Sequence, residues 1–241
     1  MNTRMKIILL LFILALVVII IGNYIYLFLI KRDIDYENRN TYFNKGKDNL
    51  AILIEVDRKS LSVIDLDSNK VINSYGVATG KASTPTPLGT FKIVEKARWG
   101  GGFGSRWLGL NVPWGKYGIH GTNKPGSIGF NASGGCIRMR NKDVEELYNI
   151  VDYDTTVAII NGSYGPFAYG FRNLEPGDRG ADVAEVQKRL KLRDYYDGTL
   201  DGVYGDGTKR ALIEFLKDNN IPATDIINNN IYEKLGIILM D

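Results

Sequence analysis

The chain holds a single histidine and a single cysteine, His120 and Cys136, and both lie in one glycine-rich run from Gly118 to Met139, GIHGTNKPGSIGFNASGGCIRM. A thiol is a weak nucleophile and a thiolate a strong one, so cysteine chemistry needs a base or a positive charge nearby; histidine titrates in the right range. The two residues supply a nucleophile and its base. Gly134 and Gly135 ahead of Cys136 fit a tight turn that points backbone N–H groups outward, and such groups stabilise a tetrahedral oxyanion. The amides of Gly135 and Cys136 are assigned that role. The competing reading is a buried histidine beside an inert, packed cysteine.

One cysteine excludes an intramolecular disulfide, and together with one histidine it cannot furnish a structural zinc site. The acidic stretch from Asp197 to Asp206 lacks the Asp or Asn at 199 and the acid at 208 that a calcium-binding EF-hand loop requires. No metal or organic cofactor is implied. A net charge of +3 with scattered Lys and Arg does not make a nucleic-acid surface.

Length and pattern give the elements that must position the pair. A chain of 241 residues is enough for one mid-sized folded unit and a small one. Residues 1–6 form a short tail. Residues 7–30 carry no charge and are long enough to cross roughly 30 Å of hydrocarbon, so a retained transmembrane anchor is expected there, stopped by Lys31 and Arg32. The charged, Asn-rich residues 31–48 read as a stalk. From Leu50 the runs AILIEV, LSVIDL, VINSYGVATG and TFKIVEKA predict a mostly β unit over 49–162, hairpin after hairpin and β-sandwich-like. One short helix, capped by Asn141, is predicted over KDVEELYNIV, followed by a last strand, TTVAII. After a linker at 163–172, helical periodicity in Val183, Val186 and Leu190 and again in Ala211, Leu212 and Phe215 predicts a small three-helix unit over 173–241.

Thr86-Pro87-Leu88-Gly89-Thr90-Phe91, then Ile119-His120-Gly121, then Ser133-Gly134-Gly135-Cys136-Ile137-Arg138-Met139 together resemble the L,D-transpeptidase catalytic domain of the YkuD type. That resemblance implies acyl transfer on peptidoglycan stem peptides: Cys136 forms a thioester as D-alanine leaves, His120 acts as general base and acid, and a second stem peptide completes a three-to-three cross-link. It also implies that the backbone carbonyl of Gly121 orients the His120 ring. Many members have a second histidine where this chain has Gly134. Arg138 either grips a substrate carboxylate or braces the loop through backbone carbonyls, and Ser133 either hydrogen-bonds to the cysteine loop or the substrate, or forms the turn. Tyr117, with Trp99, Trp107 and Trp114, lines a substrate groove or belongs to the core.

The segment from Leu174 to Ile221, with Gly177, Gly180, Gln187, Asp201, Gly202, Tyr204 and Thr208, resembles a small peptidoglycan-binding domain, with Leu216 where that family usually has Gln. The implied partners are stem peptides and glycan, with the membrane held through the N-terminal helix. The implied location is the cell membrane, single-pass, with both domains on the cell-wall side. That orientation comes from the resemblance, because the positive charges after the apolar run argue the reverse. Three alternatives stand beside transpeptidation: a carboxypeptidase or endopeptidase that passes the acyl group to water, a non-catalytic wall-binding protein, and, as the resemblance also implies, attachment of a protein to the wall.

Overall fold

The computed structural model describes residues 21–24, 26, 49–167 and 170–238. Residues 21–24 and 26 are helical; the rest of the expected anchor, together with the 1–6 tail and the 31–48 stalk, lies outside the described residues. Among the described residues no helix is long and apolar enough to cross a membrane. The described residues from 49 onward belong to one compact unit, which contains two hydrophobic cores.

The first core is enclosed by strands β1 (Leu50–Glu55), β2 (Ser60–Asp65), β3 (Lys70–Gly76), β5 (Gly89–Ala97), β6 (Trp107–Leu110), β7 (Tyr117–His120), β9 (Ile137–Arg138) and β10 (Thr156–Ile160). Period-two alternation buries Ile52 and Ile54 of β1 and Leu61 and Val63 of β2 on one face. The strand order is β3-β2-β1-β10-β5-β6-β7-β9, with a small separate pair between β4 (Thr79–Gly80) and β8 (Asn131–Ser133).

Two features depart from the sandwich of successive hairpins. The final strand β10 inserts between β1 and β5, parallel to β1 and antiparallel to β5. The sheet also curls until its edges meet: past β3, Ala78 exchanges two backbone hydrogen bonds of 2.9 Å with Arg138 of β9. Joining the edges satisfies backbone groups that an open sheet would leave exposed. The helix α1 (Asn141–Ile150) buries Val144, Leu147 and Ile150 against this sheet. It starts at Asn141 itself, with Arg140 in the cap position and no side-chain cap bond, so Asn141 does not cap it.

The second core is helical. Helices α2 (Ala181–Lys191), α3 (Asp206–Asp218) and α4 (Asn229–Lys234) bury Val183, Val186, Leu190, Leu212, Phe215 and Leu216 among themselves. Two aromatic residues of the expected 163–172 linker join this core. Phe167 lies 5.6 Å from Tyr232 edge-on, and Phe171 stacks on Tyr232 at 4.5 Å. Buried Gln187 ties the loop before α3 to α2: its amide oxygen accepts from Gly202 N–H at 2.9 Å, and its nitrogen donates to Asp201 at 2.8 Å.

Candidate active site

His120 ends β7 and Cys136 immediately precedes β9, and these two strands are parallel neighbours with His120 in register with Arg138. The pairing explains how residues distant in sequence come together: Met139 N–H donates to the His120 carbonyl at 2.8 Å, which locks the strand after the cysteine to the strand carrying the histidine. His120 is 3% exposed, so its environment is set by the protein rather than by water. Nδ1 of His120 lies 2.5 Å from the carbonyl oxygen of Gly121. A carbonyl only accepts, so Nδ1 carries the proton and Nε2 keeps its lone pair.

Aromatic rings enclose the imidazole. Phe103 meets it edge-on at 5.0 Å, Trp107 stacks at 5.9 Å, and Trp99 stacks on Trp107 at 4.7 Å. Burial is the main reason the His120 pKa lies below the ordinary histidine value; the Gly121 and Phe103 carbonyls oppose the shift, and the Arg138 charge adds to it. Burial likewise pushes the Cys136 thiol up, against the pull of a Gly118 backbone hydrogen bond and of Arg138. Both groups are therefore held toward their uncharged forms.

The turn before Cys136 is fastened from several sides. Ser133, buried, accepts the Gly135 N–H at 3.0 Å and donates to the Cys136 carbonyl at 2.6 Å. The Gly135 amide, expected to face an oxyanion, here donates to Ser133, and the Ser133 hydroxyl bonds to the cysteine loop, one of the partners expected for it. Among the described residues, the amides of Gly134 and Cys136 make no hydrogen bond outside the strand ladders. Gly135 has a φ of 115°, and a Cβ there would stand 2.6 Å from the Tyr117 ring, so only glycine fits. A Cβ at Gly134 would meet nothing within 4 Å.

Arg138 donates to the Ala132 carbonyl at 3.3 Å, while its buried Nε has no hydrogen-bond partner among the described residues. Tyr117 is half-buried against Gly135, and burial followed by the Cys136 charge raises its pKa. Of the tryptophans, Trp107 is core and backs His120, whereas Trp114 packs edge-on against Phe91 at 5.9 Å. Thr86 is a loop fastener: its hydroxyl accepts the Gly80 N–H at 2.8 Å, and the adjoining Thr84 hydroxyl donates to the Ser133 carbonyl at 3.2 Å.

Sequence reasoning read Asn141 as a helix cap and missed its contact across the fold. Its Oδ1 accepts the Ser105 N–H at 3.2 Å and would lie 2.2 Å from a Cβ on either Gly104 or Gly121. Two backbones thus meet at these glycines, and Asn141 clasps the loop that carries Phe103 onto the histidine. The paired glycines were the only trace of this contact in the sequence.

A model of the L,D-transpeptidase catalytic domain matches residues 51–159, and a model described as "Putative peptidoglycan binding domain" matches 179–235. The chain is 47% identical over 111 residues to "Putative L,D-transpeptidase YkuD" of Bacillus subtilis (strain 168), a match covering 46% of this chain and 64% of that protein. It is 39% identical over 124 residues to "Putative L,D-transpeptidase YqjB" of the same organism, covering 45% of this chain and 69% of that one. The chain spans 64% of the length of each of the first two curated relatives it matches. Among solved structures, that of the catalytic domain of the E. faecium L,D-transpeptidase aligns with a TM-score of 0.41 at 22% identity, over 48% of this chain and 99% of that one. On the sequence matches, the chain belongs to the L,D-transpeptidase family.

Proposed function

We propose that the protein is a peptidoglycan L,D-transpeptidase that works through a Cys136 thioester with His120 as general base and acid. The observation that carries this reading is that His120 ends β7 while Cys136 directly precedes β9, the parallel neighbour of β7, with Nδ1 of His120 anchored on the Gly121 carbonyl. Because neither group is driven to its charged form, the proton moves during attack: His120 Nε2 takes the thiol proton as sulfur adds to the stem-peptide carbonyl. The tetrahedral oxyanion is received by the Cys136 and Gly134 amides, and the Arg138 charge favours the anionic side of the reaction. Collapse breaks the carbon–nitrogen bond, His120 returns the proton to the departing D-alanine amine, and the thioester remains. The side-chain amine of a second stem peptide then gives its proton to His120, attacks the thioester and releases the thiol as a three-to-three cross-link forms.

The C-terminal helical unit, matched to a peptidoglycan-binding domain, raises the local concentration of wall polymer at the site. We place both units on the cell-wall side of a membrane anchor at residues 7–30. The test is incubation of the protein with a disaccharide tetrapeptide, read by mass spectrometry beside Cys136→Ala. A cross-linked dimer lacking D-alanine, absent with the variant, is the expected result. Monomer trimmed of D-alanine would transfer the reading to a carboxypeptidase, and an unreactive Cys136 with no product would leave only wall binding.

A further inference from the structure

The helical lobe does not hang free of the β lobe. Ala181 at the start of α2 packs on the β-lobe core, and Trp114 lies so close to Gly202 that a Cβ there would stand 2.5 Å from the indole. Beside this contact a cleft of about 320 Å³ opens between the lobes. Its β-lobe wall includes Pro85, Trp114 and Tyr117, and its helical-lobe wall includes Arg172, Arg179 and Asp182.

Two residues of the cleft wall border the turn that precedes Cys136. Pro85 and Tyr117 are the residues that touch Gly135 on the cysteine turn: a Cβ on Gly135 would be 3.2 Å from the Pro85 carbonyl oxygen and 2.6 Å from the Tyr117 ring. Its charge is also specific. Arg172 is neutralised by Asp182 at 2.7 Å and Asp178 at 2.9 Å, which also stiffen the wall. Arg179 lines the same cleft, and its exposed guanidinium has, among the described residues, neither an ion pair nor a hydrogen bond. An exposed guanidinium with no partner in a half-apolar cleft suits a carboxylate, which it meets with two parallel hydrogen bonds.

We propose that this inter-lobe cleft is part of the acyl-donor site, and that Arg179 of the helical lobe binds a carboxylate of the donor stem peptide other than that of the leaving D-alanine. The helical lobe is then a working wall of the catalytic site as well as a hold on the polymer. The proposal rests on the transpeptidase reading.

The test measures acyl-enzyme formation on the full chain by intact mass, with a disaccharide tetrapeptide as donor and no acceptor. Two donors are compared, one with those carboxylates free and one with them amidated. Arg179→Ala is expected to raise the half-saturating concentration of the free-acid donor about tenfold. Amidation should cost the unmodified chain a similar factor and Arg179→Ala almost nothing, while Arg179→Lys recovers part of the loss. Iodoacetamide labelling of Cys136 should be equal in all three chains.

Equal half-saturation in the unmodified chain and Arg179→Ala would overturn the subsite while leaving the transpeptidase reading standing. If the unmodified chain labels with iodoacetamide but forms no acyl-enzyme with either donor, the transpeptidase reading falls and the subsite with it.

Discussion

Arg138 acts on both His120 and Cys136 through one charge, and removing it should move both groups in the same direction. The guanidinium repels an imidazolium and attracts a thiolate, so it lowers both pKa values. In Arg138→Ala the His120 and Cys136 inflections should therefore both move up, the first followed by NMR of the ring protons and the second by the pH dependence of iodoacetamide labelling. A role confined to bracing Ala132 predicts neither shift. The depressed His120 value also sets an acid limit on stability. The unfolded chain takes a proton near pH 6.5 that the folded one refuses, so stability is full above that value and declines as pH falls through the folded pKa. The open space at Gly134 makes the opposite kind of prediction. Gly134→His should fold with a loss under about 0.5 kcal/mol by urea titration and keep Cys136 reactive, because its side chain leaves the fastened turn untouched.

The loop clasp is an element-scale device. Asn141→Ala removes the acceptor for the Ser105 amide and should cost about 1 kcal/mol in stability, while acylation slows more than that loss explains because Phe103 is no longer held on His120. Denaturant titration beside acylation kinetics separates the two effects. This clasp was not legible in the sequence, and the reason is physical. An Asn ahead of an apolar stripe carries a capping signal, but here its side chain is drawn to an amide across the fold. Alternation in Ile52, Ile54, Leu61 and Val63 made the strands readable, and the spacing of Val183, Val186 and Leu190 did the same for α2. Nothing in a period states which strand a strand will pair with, so the insertion of β10 was invisible. His120 and Cys136 stood out in the sequence because few residue types could do such chemistry. The use of the Gly135 amide was not, since it depends on where the Ser133 hydroxyl points.

At the scale of the whole molecule, the two lobes are coupled through the fit of Trp114 on Gly202. Gly202 has a φ of 66°, and a Cβ would meet both the indole and the Gly180 carbonyl. Gly202→Ala should therefore destabilise by about 2 kcal/mol or more in urea titration and shift the tryptophan emission as the indole is displaced. The coupling reaches the helical core as well, since the Gly202 amide is held by Gln187. The insertion of β10 bears on how the polypeptide acquires its shape. The β1 strand finds its parallel neighbour only at residues 156–160, so a ribosome or an export channel must deliver nearly all of the β lobe before the first strand is flanked on both sides. Until then the inner edges of β1 and β5 are open templates for pairing with other chains, and closing so long a loop slows folding. A nascent chain of this design benefits from a chaperone that shields those edges until the last strand arrives.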